Sequence, residues 1–327
     1  MNTPPSIRAT AALAAWLTVA TMGPAVAEIA PQTSATVGDL AARTMPAFVF
    51  VSGGSGVLIS ADGLVLSNAH VVGKQRSFNV RLGDGRAFNA KLLGYHAFGD
   101  LALLQIEGAK DLPFLPLGDS DLMKPGAFCF TIGNPLALGL IDQQPTISTG
   151  VISAKNRLSD NYVDALVIDA PINPGNSGGP LINAAGDLIG INGKMQPRMG
   201  LRSNTGLGFA LPVNRIKRWL PLLQAARGGP VRHGRLEGIE WQEPGRAAMV
   251  DYVAPVIRSV APGSDGERAG FKAGDTIVRC QGEPVRMAAQ MYLLLAMNPH
   301  TLPATVVVLR DGAETTLTFT MEPVGGD

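Results

Sequence analysis

Hydrophobic and polar positions alternate in short blocks along most of the chain. From Pro46 to Phe209, apolar runs such as AFVFVSGGSGVLIS, LVLSNAHVV, FNVRL, LALLQI, FCFTIG, ISTGVISA, ALVIDA, PLIN and LIGIN follow one another. They are rich in Val, Ile, Leu and Phe and are bounded by DG, GDG, GD and NP, which is how strands ended by tight turns read. No sustained 3.6-residue period interrupts them, so the pattern predicts an all-β sandwich or a pair of barrels. The period changes at Pro212. PVNRIKRWLPLLQAA places Ile216, Trp219, Leu220 and Leu223 on one face of a closing helix, which Pro221 is expected to bend.

The segment RGGPVRHG, residues 227–234, is expected to be a linker. Beyond it, the strand-like runs VIRSV, DTIVRC, ATVVVLR and TTLTFTM surround a short helix near Glu267, Arg268 and Ala269 and a longer one from Met287 to Met297. Residues 235–327 therefore predict a separate α+β module of ordinary small-domain size. At the other end, Arg8 precedes an apolar run from Ala9 to Met22, followed by Ala25, Val26 and Ala27. That order predicts a signal peptide over residues 1–27, cut after Ala27, and a periplasmic or secreted mature protein. An uncleaved inner-membrane anchor is the alternative, disfavoured because the run is shorter than the ~20 residues a span needs.

Composition narrows the function classes. With 46% hydrophobic and 16% charged residues, the 327-residue chain is core-forming. Its net charge is +1 with no basic block, which argues against nucleic acid and anionic membrane surfaces as partners. Cys129 and Cys280 sit in apolar, strand-like contexts and read as buried small hydrophobes. No CxxC, HExxH or nucleotide motif occurs, so neither a metal nor a cofactor is expected.

One stretch carries candidate chemistry. NPGNSGGPL, residues 173–181, isolates Ser177 among glycines and prolines. It reads either as a turn between strands or as a nucleophile on a loop that a substrate can approach closely. A serine nucleophile needs a base, and the base needs an acid to orient it. Of the four histidines, His233 and His300 lie in or beyond the linker; His70 ends an apolar strand, and His96, in GYHAFGD, is expected in a surface turn. Asp100 opens the strand LALLQI, where its carboxylate could be half buried, whereas Asp62, Asp84, Asp119 and Asp169 read as turn or strand-edge acids.

The order His, Asp, Ser on many short strands resembles the chymotrypsin-like serine proteases. GSGVLISADGLVLSNAHVV, DLALLQI, TIGNPLALG, STGVISA, INPGNSGGPLIN, LIGIN and GLGFALPVN resemble the HtrA (Deg) family in order and spacing, from about residue 46 to 215. ERAGFKAGDTIVRCQGEPV resembles the PDZ domain of those proteases. The resemblance implies a chymotrypsin-like double six-stranded β-barrel over residues 28–226 and one PDZ domain over 235–327. It implies Ser177 as nucleophile, His70 as general base and acid, Asp100 as its orienter, and the Gly175 and Ser177 amides as the oxyanion hole. The function implied is a cofactor-free, ATP-independent serine endopeptidase acting on unfolded or misfolded proteins. A protease-fold chaperone or PDZ scaffold with little hydrolysis is the alternative.

The resemblance also sets finer expectations. Asn176 carries no charge to capture a new N-terminal amine, so ordering of the loop is expected as the switch instead of pro-segment cleavage. Pro171, six residues before Ser177, disfavours a Lys or Arg preference; by resemblance Pro171, Ile172, Lys194 and Met195 contribute to the substrate pocket, which implies a small or medium apolar P1 side chain. The family usually has a hydroxyl residue where this chain has Gly193, and small or apolar ones where it has Lys194 and Met195; Lys194 either snorkels to solvent or lines the cleft. Leu236, Glu237, Gly238 and Ile239, in RLEGI, form the expected peptide-binding loop for C-termini or extended segments. Glu237 either faces solvent or repels a terminal carboxylate. A homotrimer is expected by resemblance, although the family builds it with aromatic residues near the N-terminus and none lies between Glu28 and Ala47.

Overall fold

The structure is a computed structural model and describes residues 31–139, 144–159, 162–195, 206–242 and 254–324. The expected signal peptide, residues 1–27, lies outside the described residues. Helix α1, Pro31–Thr44, precedes the first strand. The strand pattern gave no sign of it.

Six strands form the first barrel: β1 (Phe48–Val51), β2 (Gly54–Leu58), β3 (Leu64–Ser67), β4 (Ser77–Leu82), β5 (Ala87–His96) and β6 (Leu101–Ile106). They run in the order β5-β4-β1-β2-β3-β6, and pairing of β5 with β6 closes the ring. FVFV of β1 is buried on both faces, the pattern of a central strand. Strand β5 escaped the sequence pattern because its polar residues Asn89 and Lys91 and its Gly94 break the apolar run. A one-turn helix, α2 (Ala69–Val72), follows β3.

The second barrel closes in the order β10-β11-β12-β9-β8-β7. Its strands are β7 (Phe128–Gly133), β8 (Thr146–Ser159), β9 (Tyr162–Ile168), β10 (Pro180–Asn183), β11 (Leu188–Met195) and β12 (Gly208–Pro212). Cys129, Ile152, Leu166, Ile168, Leu181 and Ile189 pack in its interior. Burial pushes the Cys129 thiol up to about 12, as expected for an inert core cysteine. The double six-stranded barrel is the fold the motifs implied.

Helix α3 (Val213–Ala225) closes the barrels and contains Pro221. Ile216, Trp219 and Leu223 are buried as expected, but Leu220 is only half buried, and Arg215 is buried in its place. The Arg215 guanidinium reaches Asp164 of β9 through Nε at 2.9 Å, and burial lowers its pKa to about 9. A charge so far inside needs such a partner.

The segment 227–234 is not a loose connection. Gly229–Pro230, β13, adds in parallel to β5, and the amides of Gly228 and Val231 donate to the carbonyls of Leu93 and Tyr95. The C-terminal module begins with β14 (Gly234–Arg235), paired with the final strand β21 (Glu322–Pro323). A two-stranded sheet joins β15 (Ile239–Trp241) to β16 (Ile257–Val260), and helix α4 spans Asp265–Arg268. The main sheet has the order β18-β17-β19-β20, built from β17 (Thr276–Cys280), β18 (Glu283–Pro284), β19 (Ala304–Arg310) and β20 (Ala313–Phe319). Helix α5 (Ala288–Ala296) matches the longer helix expected.

The module is seated on the second barrel and α3. Val163 of β9 is buried within the module's own core, beside Leu294 and Met291 of α5. Trp219 donates through Nε1 to the Met297 carbonyl at 3.1 Å. His96 is not in a surface turn. It is the last residue of β5, 1% exposed, under Trp219 and near His233. It shares the inward face of β5 with Ala90, Leu92 and Gly94, at every second position.

Candidate active site

His70 follows the N-cap Asn68 on α2, and Asp100 immediately precedes β6. Two neighbouring strands therefore deliver a base and an acid to one end of the first barrel. Asp100 has φ +53 and is 5% exposed, and its carbonyl accepts from Asn68 Nδ2 at 2.9 Å. Its carboxylate holds His70 twice. The ring Nδ1 lies 2.8 Å from Oδ2 and 2.9 Å from Oδ1, and the His70 backbone N–H donates to Oδ1 at 3.0 Å. This arrangement selects the tautomer with the proton on Nδ1 and leaves Nε2 as the basic nitrogen. The His70 side chain is about half exposed (49%), open to the cleft.

A third donor reaches the same carboxylate: the Tyr162 hydroxyl, at 2.8 Å from Oδ2. Tyr162 starts β9 and is fully buried. Burial first, and then the Asp100 charge and its hydrogen bond, hold the phenol's pKa well above the usual range.

Ser177 comes from the second barrel, on the loop between β9 and β10. The loop is fitted against the first barrel by Ser55 of β2. Ser55 N donates to the Ser177 carbonyl at 3.0 Å, its hydroxyl donates to the Gly175 carbonyl at 2.7 Å, and Asn134 N donates to that hydroxyl at 3.1 Å. Gly175 has φ +101, and a Cβ there would lie 1.9 Å from the Asn134 carbonyl oxygen. Only glycine can occupy that position. The Pro174 carbonyl accepts from Leu136 N at 2.6 Å. With these carbonyls engaged, the Gly175 and Ser177 amides have no acceptor among the described residues. Two such free donors beside a hydroxyl suit a developing oxyanion.

The Ser177 hydroxyl donates to the Gly193 carbonyl at 2.8 Å. Asn176 is buried against Gly133, its amide 3.5 Å from the Pro171 carbonyl. Of the four expected pocket residues, the structure describes the side chains of two. Pro171 is exposed on the loop, Ile172 is buried in the second barrel's core against Gly208, and the side chains of Lys194 and Met195, at the end of β11, lie outside the described residues.

The expected peptide-binding loop leads into β15. Leu236 is buried, and Gly238 has φ +83 with Ser264 too close for any Cβ. Ile239 pairs with Val260. The Glu237 side chain is mostly exposed, 3.1 Å from Arg235, and its amide donates to Asp265 Oδ2 at 3.3 Å. Ser55, Tyr162 and Asn134 were not singled out from sequence. Ser55 sits in GGSG, where small residues mark a close approach, but nothing local sets Tyr162 apart from a core tyrosine.

Residues 54–191, which span His70, Asp100 and Ser177, match the family of trypsin-like peptidase domains. Among solved structures, the HtrA-type protease AlgW bound to a tripeptide superposes with a TM-score of 0.68 at 30% identity, covering 89% of this chain and 98% of that one. The chain belongs to the HtrA family. The periplasmic serine endoprotease DegP of Escherichia coli K12 is 37% identical over 84% of this HtrA chain, and a probable DegP-like endoprotease of Marinomonas is 36% identical over 82%. The chain spans 57% of the length of E. coli DegP.

Proposed function

We propose that the chain is a serine endopeptidase that hydrolyses peptide bonds in unfolded or misfolded proteins, by acyl transfer through Ser177. The observation that carries this reading is the double hold of Asp100 on His70 beside a loop with two unengaged amides. Rotation about the Ser177 Cα–Cβ bond releases its hydroxyl from Gly193 and presents it to His70 Nε2. His70 takes the proton as Oγ attacks the scissile carbonyl. The Gly175 and Ser177 amides receive the oxyanion, and His70 returns the proton to the leaving amine. Water then repeats the sequence on the acyl-enzyme. One oxyanion donor contributes about 3–4 kcal/mol to the transition state.

The domain assignment accompanies this reading: protease over residues 28–226 and PDZ over 235–327. Strand β15 pairs only with β16 among the described residues, so its other edge, facing away from that partner, can accept an extended peptide by β-augmentation. The relatives named as periplasmic and the signal-like residues 1–27 support export to the periplasm, and family membership supports a homotrimer. Among the described residues no helix is long and apolar enough to cross a membrane.

The test is hydrolysis of unfolded casein by the wild type and by Ser177→Ala. Loss of cleavage by orders of magnitude in the variant supports the endopeptidase. Equal cleavage by both overturns the Ser177 assignment, and an inert wild type that still suppresses aggregation supports the chaperone alternative.

A further inference from the structure

The phenol of Tyr162 and the missing side chain of Gly193 fit one another. Gly193 lies at the irregularity in β11 where the register against β12 shifts between Asn192 and Lys194. A Cβ built on it would stand 2.0 Å from the Tyr162 hydroxyl oxygen and 2.7 Å from Cε1 and Cζ. No side chain can coexist with the ring in this position, because real Cβ atoms do not approach so near. The space that residue 193 leaves empty is filled by the hydroxyl that donates to Asp100 Oδ2 at 2.8 Å.

We infer that Tyr162 is a positioning residue for the catalytic base, acting through Asp100, and that Gly193 is glycine to admit it. The inference rests on the proposed triad. The Tyr162 hydroxyl is neutral across any practical assay pH, because burial and the neighbouring carboxylate keep its proton on. It can therefore only donate to Asp100. With Oδ2 held by Tyr162 and Oδ1 by the His70 amide, the carboxylate cannot rotate, and the imidazole on Nδ1 is fixed with it. The same hydrogen bond draws charge from the carboxylate and so limits how strongly it stabilises the imidazolium. Tyr162 thus sets the aim of His70. Among the described residues, the ionisable groups against Asp100 are His70 from α2 and Tyr162 from β9; behind Tyr162 stands Arg215 of α3, bound to Asp164. Gly193 thus adjoins the phenol that holds Asp100 and, through its carbonyl, receives the Ser177 hydroxyl.

Tyr162→Phe removes the donor and keeps the ring. Per active site titrated with a serine-reactive organophosphate, kcat should fall by about tenfold, the cost of one hydrogen bond to a charged group, with KM nearly unchanged. The acid limb of kcat/KM should move up by about half a pH unit, and so should the imidazole titration of His70 followed by NMR. A merely structural role would lower the titratable fraction without moving either. Rescue is the sharper arm. In Tyr162→Leu/Gly193→Ser, the serine Cβ takes up space vacated by the ring, and its hydroxyl, one bond further on, can stand where the phenol oxygen stood. This pair should regain most of the rate and the original acid limb, which Tyr162→Leu alone should not. Wild-type kcat, acid limb and His70 titration in Tyr162→Phe, in an enzyme that Ser177→Ala silences, would overturn the inference and leave the protease reading intact. An inert wild type, or an active Ser177→Ala, would overturn the protease reading, while the NMR titration would still decide whether Tyr162 governs the proton affinity of His70.

Discussion

The imidazole of His96 lies flat against the indole of Trp219, ring centroids 3.9 Å apart and planes 19° from parallel. Burial above all, then the nearby His233 and Arg215 charges, lowers the His96 pKa to about 3. The histidine is therefore neutral in the folded protein. In the unfolded chain it takes up a proton near pH 6.5.

The sign of the pH dependence follows. Between pH 6.5 and about 3 the unfolded chain holds a proton that the folded chain refuses, so stability falls as pH falls through this window. His233, also depressed by burial, acts in the same direction. The effect of His96 is bounded at about 5 kcal/mol by the ratio of its two proton affinities. Urea midpoints measured from pH 7.5 to 4 should decline for the wild type and much less for His96→Phe. Parallel declines for the two proteins would show that His96 is not the linked group.

Ser55→Ala removes the hydroxyl that joins Asn134 N to the Gly175 carbonyl and keeps the backbone bond to Ser177. The loop should lose its aim while the barrels stay folded. Kinetics on a peptide substrate should show kcat reduced about tenfold with KM within twofold, and a stability loss of about 1–2 kcal/mol. An unchanged kcat would mean the glycines alone hold the loop.

Gly175→Ala forces a Cβ onto the Asn134 carbonyl. Displacing this amide should cost at least ~100-fold in kcat, the scale of a lost oxyanion donor. Gly85→Ala is the control: its φ is +91 but its surroundings are open, so it should lose about 1 kcal/mol of stability and no activity.

In the C-terminal module, Glu237 is turned to solvent and paired with Arg235, whereas Asp265 accepts from the Glu237 amide. Were this loop to take a peptide carboxylate, as proposed, Asp265 and not Glu237 would be its competitor. Isothermal titration should show Glu237→Leu leaving the affinity for a free-acid peptide within about twofold, since an exposed charge acts weakly. Asp265→Asn should tighten the free-acid peptide several-fold and its amide much less. The reverse ranking would place Glu237 at the groove.

Strand length and turn residues are local signals and made the many-stranded β region legible, whereas the double barrel and the roles of His70, Asp100 and Ser177 were implied by the resemblance to the HtrA family; the structure brings His70 onto Asp100. What stayed hidden was non-local. Asn89, Lys91 and Gly94 disguised β5, whose alternation makes sense only against β4 and β6. Arg215 lies off the apolar face that the helical period predicts, and its burial makes sense only with Asp164 of β9 beneath it. Gly193 stood out as a departure, but its reason, the phenol of a residue 31 positions earlier, needed the closed barrel to bring the two together.

Strand β9 serves two territories with consecutive residues. Tyr162 is spent on the acid of the cleft, and Val163, turned the other way as strand geometry requires, is sealed inside the C-terminal module. Excising that module would leave a wet, unsupported wall one residue away from the phenol that holds Asp100. A shortened chain ending before Gly234 is consequently a different enzyme, and its rates report on damage to β9 as much as on the absence of the C-terminal module.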